Sequence, residues 1–308
     1  MKGIVVKSFG KYYTVEYESG RINCVLRGKL RKDKRLEKYS EAVVVGDEVE
    51  FEPDTDGDGG AISLVSDRRN VFTRKYKDSD RDDLIAANLD RIVVIQCFGK
   101  PRLNLRFVDR LMVRGCKEEI PVTLCVNKLD LAGEEDASML DDYYRGYDAD
   151  ILLVSAKTGE GLAAFREMLA GKLSILIGSS GVGKTSILNG LYPGLALRTT
   201  DVSESTGKGR HTTTNVEMFS MADGARIIDT PGLREFGLMD IEPEELGIYF
   251  MEFGAYSRKC GFSPCTHEHE PDCEVKRRVE KGTLSGERYI SYLNILSTLK
   301  DYYENRYR

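Results

Sequence analysis

The segment Gly178-Ser179-Ser180-Gly181-Val182-Gly183-Lys184-Thr185 constrains this chain more than any other. It has the spacing G-x-x-x-x-G-K-T, follows the apolar run Ser174–Ile177 and opens a helix-like run, Thr185–Leu191. Glycines let such a loop curl so that successive backbone N–H groups face phosphate oxygens at a helix N-terminus. Lys184 is expected to reach the outer phosphates and Thr185 to ligate Mg2+, with Ser186 beside them in the first helical turn. A strand that ends in a phosphate loop belongs to a mainly parallel sheet covered by helices.

The surrounding pattern agrees. Arg91–Cys97, Val122–Val126, Ile151–Val154, Ser174–Ile177, Val216–Phe219 and Arg226–Ile228 are short apolar or alternating runs, and Leu162–Leu169 and Thr185–Leu191 are helix-like. Before residue 69 the chain reads differently. Gly3–Ser8, Tyr12–Tyr17, Ile22–Leu26, Asp47–Glu52 and Ala61–Val65 are five candidate strands, which suggests a small barrel with the OB-fold as the leading choice. After residue 238 strand signals stop. Tyr289, Tyr292, Leu293, Leu296, Leu299 and Tyr303 then recur at helical spacing, as a core or docking stripe. The expected fold class is multi-domain α/β, and 308 residues suffice for three domains. These are a barrel at 1–68, a P-loop domain at 69–238 with helices on both faces of its sheet, and a helical domain at 239–308.

A second motif selects the base. Asn127-Lys128-Leu129-Asp130 follows Val122–Val126 at a strand's carboxyl end, where open α/β sheets place ligand-binding residues. The Asp130 carboxylate can accept from N1–H and the 2-amino group of guanine, a donor pair adenine lacks. Asn127 can address the O6/N7 edge, and the Lys128 stem can cover the ring face. Ser155-Ala156-Lys157 ends the next strand, where GTPases present a backbone N–H to guanine O6, here that of Ala156. Asp229-Thr230-Pro231-Gly232 closes a later strand, so that Asp229 is expected at Mg2+ and the Gly232 N–H at the γ-phosphate. The polar loop Gly207–Thr214 lies between the phosphate loop and that strand, placed for one of its threonines to close over Mg2+ and the γ-phosphate. An ATP-using enzyme, or an RNA-binding module with vestigial nucleotide binding, would share parts of this pattern.

GTPases of the usual kind carry the phosphate loop first and the guanine motif last. Here the order is Asn127–Asp130, Ser155–Lys157, Gly178–Thr185, Thr212–Thr214, Asp229–Gly232. The same sheet forms from this order if the chain is cut after the D-x-x-G strand and the old ends are joined. With Gly209-Arg210-His211-Thr212-Thr213-Thr214 and the cysteine cluster downstream, the chain resembles the ribosome small-subunit-dependent GTPase family RsgA (YjeQ) over essentially its full length. The resemblance implies an OB-fold, a circularly permuted GTPase domain and a zinc domain. It implies action in late maturation of the small (30S) ribosomal subunit, with binding to the subunit and its rRNA in the GTP state and release on hydrolysis. It makes Thr213 the expected switch threonine and a Mg2+ ligand. Leu233 stands where many GTPases place a water-orienting glutamine. The resemblance therefore implies slow turnover alone, stimulation by the subunit, and His211 as the candidate for orienting water beside Lys184 and Thr213.

Cys260-x4-Cys265-x-His267-x5-Cys273 offers three thiolates and an imidazole, a full tetrahedral set for one structural Zn2+, with His269 as a competing ligand. Cys24, Cys97, Cys116 and Cys125 are scattered and are expected to pack as small hydrophobes. Asp54-Thr55-Asp56-Gly57-Asp58-Gly59 begins like a calcium loop, but Val65 occupies the position that needs a bidentate Glu, so it reads as an acidic hairpin turn. The basic stretch Arg27–Arg35 and Lys259, Lys276, Arg277 and Arg278 are solvated surface or RNA contacts, and a net charge of −5 argues against indiscriminate nucleic-acid coating. The N-terminal apolar run is too short for a signal peptide and no stretch reaches membrane length, so a cytoplasmic, membrane-free monomer is expected.

Overall fold

A computed structural model describes residues 1–28, 30, 33–55, 59–74, 82–195, 216–229 and 236–306. His211, Thr213 and Gly232, with Thr212, Thr214 and Leu233, lie outside the described residues.

Five strands close into the N-terminal barrel: β1 (Lys2–Phe9), β2 (Tyr12–Tyr17), β3 (Gly20–Leu26), β4 (Glu48–Pro53) and β5 (Gly60–Val65). β1 pairs with β2 and β4, β2 with β3, β3 with β5 in parallel, and β5 with β4, so no barrel edge is left between them. Alternation along each strand fills the interior with Val5, Tyr13, Val15, Ile22, Cys24, Val49, Phe51 and Ile62. β4 and β5 pair antiparallel on either side of the acidic segment, and Asp54 N donates to Gly59 O at 2.8 Å; residues 56–58 of that segment lie outside the described residues. The chain leaves the barrel under a staple: Arg68 donates to both oxygens of buried Asp47 at 2.7 Å and to Ala42 O at 2.8 Å.

The next pair, β6 (Val71–Arg74) and β7 (Asp83–Ala87), is an antiparallel ribbon absent from the sequence reading. β6 has only four residues, and the charged run at 75–81 breaks the alternation between the two strands. The nucleotide-type sheet follows: β8 (Arg91–Cys97), β9 (Val122–Asn127), β10 (Asp150–Leu153), β11 (Leu173–Ile177), β12 (Glu217–Ser220) and β13 (Arg226–Asp229), in the order β10-β9-β8-β11-β13-β12. All neighbours are parallel except β12 with β13.

Both faces of this sheet are buried, which explains the unbroken apolar run in β8. Val93, Ile95 and Cys97 pack with Phe165 of α3 (Leu162–Leu169) and Ile187 and Leu188 of α4 (Lys184–Leu191). Ile92 and Val94 face the core that holds Val108, Leu111 and Met112 of α1 (Leu105–Lys117) and Leu140 of α2 (Glu134–Tyr143). At its far edge β12 pairs antiparallel with β1 at Lys7↔Glu217, so barrel and nucleotide sheet form one eleven-stranded sheet. An ion pair, Lys7 Nζ to Glu217 Oε2 at 3.0 Å, spans that joint.

The C-terminal region is helical: 3-10 turns at Pro243–Tyr249 and Met251–Phe253, then α5 (Gly254–Ser257), α6 (Glu274–Glu280) and α7 (Gly286–Arg306). The stripe on α7 is core, with Tyr292, Leu296 and Leu299 buried in the same cluster as α1. That cluster also takes Phe236 and Leu238, so the chain is anchored again directly after the undescribed residues 230–235. A buried charge group crosses this joint. Arg288 on α7 pairs with Asp109 on α1 and with Glu252, and Tyr143 Oη donates to Asp109 Oδ2 at 2.5 Å. Cys24, Cys97 and Cys125 are buried as expected, whereas Cys116 is only partly so.

Candidate functional site

The phosphate loop begins where β11 ends and hands over to α4 at Gly183. Three glycines there are required sterically. Gly181 and Gly183 have φ of 84° and 93°, in the left-handed region, and a Cβ on Gly178 would stand 2.5 Å from Ile95 O. Lys184 and Thr185, in the first turn of α4, are both buried. The Lys184 ammonium donates to Gly178 O at 2.6 Å, and burial lowers its pKa against the opposing pull of Asp229. A buried cation whose nearest partners are loop carbonyls is a ready counter-charge for a phosphate. Asp229 ends β13, on the strand hydrogen-bonded beside β11 with Leu176 opposite it. These residues fit a nucleotide accompanied by Mg2+: Thr185 offers a hydroxyl and Asp229 a carboxylate at adjacent strand and helix ends.

The guanine motif sits at the end of β9, two strands away, and the chain ties it to the phosphate loop. Asn127 Nδ2 donates to Val182 O at 2.9 Å, and its Oδ1 accepts from Ala156 N at 3.0 Å. One buried amide thus clamps the phosphate loop, the β9 end and the Ser155–Lys157 turn. Lys128 has φ of 61° and reaches back over the same loop to donate to Gly181 O at 2.8 Å and to Lys100 O. That stretch lays its methylenes across the space between the β9 end and the phosphate loop. Leu129 N is held by Val154 O at 3.0 Å, which fixes the turn that carries Asp130. Ser155 Oγ donates to Asp130 Oδ1 at 2.6 Å, and Lys157 Nζ lies 3.4 Å from Oδ2. The serine hydroxyl is the main cause of a lowered Asp130 pKa, so the carboxylate stands ionised as an acceptor.

Two details depart from the sequence reading. The Ala156 N–H, expected to face the base, is engaged with Asn127 Oδ1, so a base would share that donor. Lys100, on the β8–α1 loop, also contributes through its carbonyl. A backbone acceptor carries no side-chain signal, so no motif could have revealed it.

Away from the sheet, Cys260, Cys265, His267 and Cys273 place their four ligand atoms within 4.8 Å of one another. His267 Nδ1 lies 3.4 Å from Cys273 Sγ and 3.8 Å from Cys260 Sγ. Burial pushes the Cys265 and Cys273 thiols up in pKa. His269 points away, with its side chain exposed and paired to Glu268 at 3.1 Å. The donor set suits a closed tetrahedral metal site.

Fold and site together define a GTPase of the circularly permuted kind. Read from β11 to β13 and then from β8 to β10, the strands run in the order usual for GTPases. The model of the RsgA GTPase matches residues 65–239, and that of the RsgA N-terminal domain matches residues 2–62. The chain belongs to the RsgA GTPase family. Relatives named small ribosomal subunit biogenesis GTPase RsgA include those of Chlorobaculum parvum, 39% identical over 98% of this chain and 99% of theirs, and Thermotoga maritima, 39% identical over 97% and 96%. Among solved structures, YjeQ from Thermotoga maritima is 37% identical, with a TM-score of 0.76 over 97% of this chain and 98% of that one. YloQ, titled a circularly permuted GTPase, is 28% identical, with a TM-score of 0.73 over 97% and 95%.

Proposed function

We propose that this chain hydrolyses GTP during late maturation of the small (30S) ribosomal subunit. The clamp of Asn127 on Val182 and Ala156 supports guanine selectivity, because it makes one site of base reader and phosphate loop. The names of the full-length relatives support the small subunit as partner. Gly178, Ser179, Ser180, Gly181, Val182 and Gly183 wrap the phosphates, with Lys184, Thr185 and Ser186 at the helix start and Gly232 at the γ-phosphate. Asn127, Lys128, Leu129, Asp130, Ser155, Ala156 and Lys157 hold the base. Thr185, Thr213 and Asp229 hold a Mg2+ ion, which neutralises charge on the phosphates when bound. Phosphoryl transfer to water asks the protein for positioning and charge stabilisation rather than a covalent intermediate. Lys184 supplies charge, Thr213 closes over the γ-phosphate, and His211 orients water in place of the glutamine that Leu233 replaces.

In this reading the GTP form engages the subunit and its rRNA, the subunit completes the catalytic geometry, and hydrolysis releases the protein. Cys260, Cys265, His267 and Cys273 hold one structural Zn2+ that supports the C-terminal region. We divide the chain after residues 68 and 238, a reading supported by the end of the barrel at β5 and the helical region that follows β13. No helix among the described residues is long and apolar enough to cross a membrane. We take the protein to act as a cytoplasmic monomer.

The test is GTP turnover with and without purified small subunits, beside co-sedimentation in GTP and GDP. Faster turnover with subunits and co-sedimentation favoured by GTP are expected. His211→Ala should lose the stimulated rate and keep GDP binding. Unstimulated turnover and nucleotide-independent sedimentation would contradict the reading.

A further inference from the structure

Ser257, the last residue of α5, joins the Cys/His cluster without being one of its four members. Its Oγ donates to Phe253 O at 2.9 Å and lies 3.2 Å from His267 Nε2. A serine hydroxyl has a single hydrogen. With that hydrogen committed to Phe253 O, the oxygen meets His267 as an acceptor, so Nε2 carries the ring proton. Nδ1 then keeps its lone pair, and Nδ1 is the nitrogen that faces Cys273 and Cys260.

The rest of the packing fixes the same ring orientation. The opposite side of the imidazole lies against Gly247, where a Cβ would stand 3.1 Å from both Cδ2 and Nε2. Phe253 meets the ring edge-on at 5.5 Å and 81°. Tyr289 Oη donates to His267 O at 2.6 Å and holds the backbone, which has a φ of 58°. His269, two residues on, is exposed and lacks such a cradle.

We propose that Ser257 is a positioning residue that selects the Nδ1-coordinating tautomer of His267, and that Gly247 leaves room for the ring to hold that angle. The inference rests on the zinc reading above. A hydrogen-bond partner on the distal nitrogen of a metal-bound histidine orients the ring and raises its basicity, and losing one costs roughly 10–100-fold in metal affinity.

The test uses the full chain. Zn2+ affinity is measured by competition with a chromophoric chelator for the wild type, Ser257→Ala and Ser257→Thr. The histidine tautomers of the zinc-loaded wild type are read from long-range proton–nitrogen correlations, which three histidines keep simple to assign. Expected are a loss of about 10–100-fold in Ser257→Ala, near-wild-type affinity in Ser257→Thr, and a His267 protonated at Nε2. Equal affinity in Ser257→Ala, or a His267 bound through Nε2, would overturn the Ser257 assignment alone. A wild type that holds no zinc would overturn the zinc reading and this inference with it. The tautomer measurement needs no variant, so it decides the matter even if Ser257→Ala does not fold.

Discussion

Asn127 Nδ2 donates to the carbonyl oxygen of Val182 at 2.9 Å, across 55 residues of chain. In the sequence, the base reader precedes the phosphate loop, the reverse of the usual order. In the fold, a single buried side chain makes the two into one site.

Asn127→Ala should therefore weaken both binding and folding. It leaves Val182 O and Ala156 N without their partner, at a cost of about 1–3 kcal/mol for buried polar groups. GDP affinity, measured by calorimetry, should fall at least ~10-fold, which corresponds to about 1.4 kcal/mol. Asn127→Asp keeps the acceptor toward Ala156 but sets a buried carboxylate oxygen against the Val182 carbonyl, and should weaken binding at least as much as Asn127→Ala. Unchanged stability with lost binding would show that the amide serves the ligand alone.

Gly183→Ala should abolish tight GDP binding in a chain that still folds. The added Cβ would stand 2.3 Å from Asn127 Nδ2, at a φ of 93°. Gly171→Ala is the matched control, since its φ is 66° and nothing lies within 4 Å of the new Cβ. There the backbone strain of about 1–2 kcal/mol should appear in unfolding experiments without a change in GDP affinity.

Asp240 governs the joint between α1 and the C-terminal region in a pH-dependent way. Burial alone would raise its pKa, but Arg114 at 2.5 Å and Lys117 at 2.5 Å outweigh it and hold the carboxyl well below its ordinary range. A depressed carboxylate stabilises the fold above its unfolded value of about 3.9 and loses that contribution as pH falls toward the native value. Asp240→Ala leaves buried Arg114 with Glu118 as its remaining carboxylate and should cost about 3 kcal/mol at pH 7. Urea unfolding of both proteins should show that difference shrinking below about pH 4. A difference that holds constant down to pH 2 would contradict the assignment.

What the sequence made legible was local. The phosphate loop, Asn127–Asp130, Ser155–Lys157 and the Cys260–Cys273 cluster each lie within a few turns of chain, and their chemistry depends on spacing. The strands of the parallel sheet were legible because burial on both faces leaves continuous apolar runs such as Ile92–Ile95. Features that depend on distant residues were not. Asp109 and Arg288 are 179 residues apart, and each alone reads as a surface charge on an amphipathic helix. Among the described residues the β1–β12 joint has one register pair, Lys7↔Glu217, which leaves no pattern in either strand. Ser257 is equally silent, because its partner's orientation arises only when Gly247 and Phe253 meet the His267 ring and Tyr289 holds its backbone carbonyl.

The claim that these separated motifs form one guanine site is tested most directly by exchanging the base. Asp130 accepts from Ser155 and stands ionised for the N1–H and 2-amino donors of guanine. Competition binding of GDP and xanthosine diphosphate should show a wild type selective for GDP. Asp130→Asn should reverse that preference toward the base with a 2-oxo group. A variant that loses both nucleotides equally, or a wild type that binds ADP as well as GDP, would contradict the account.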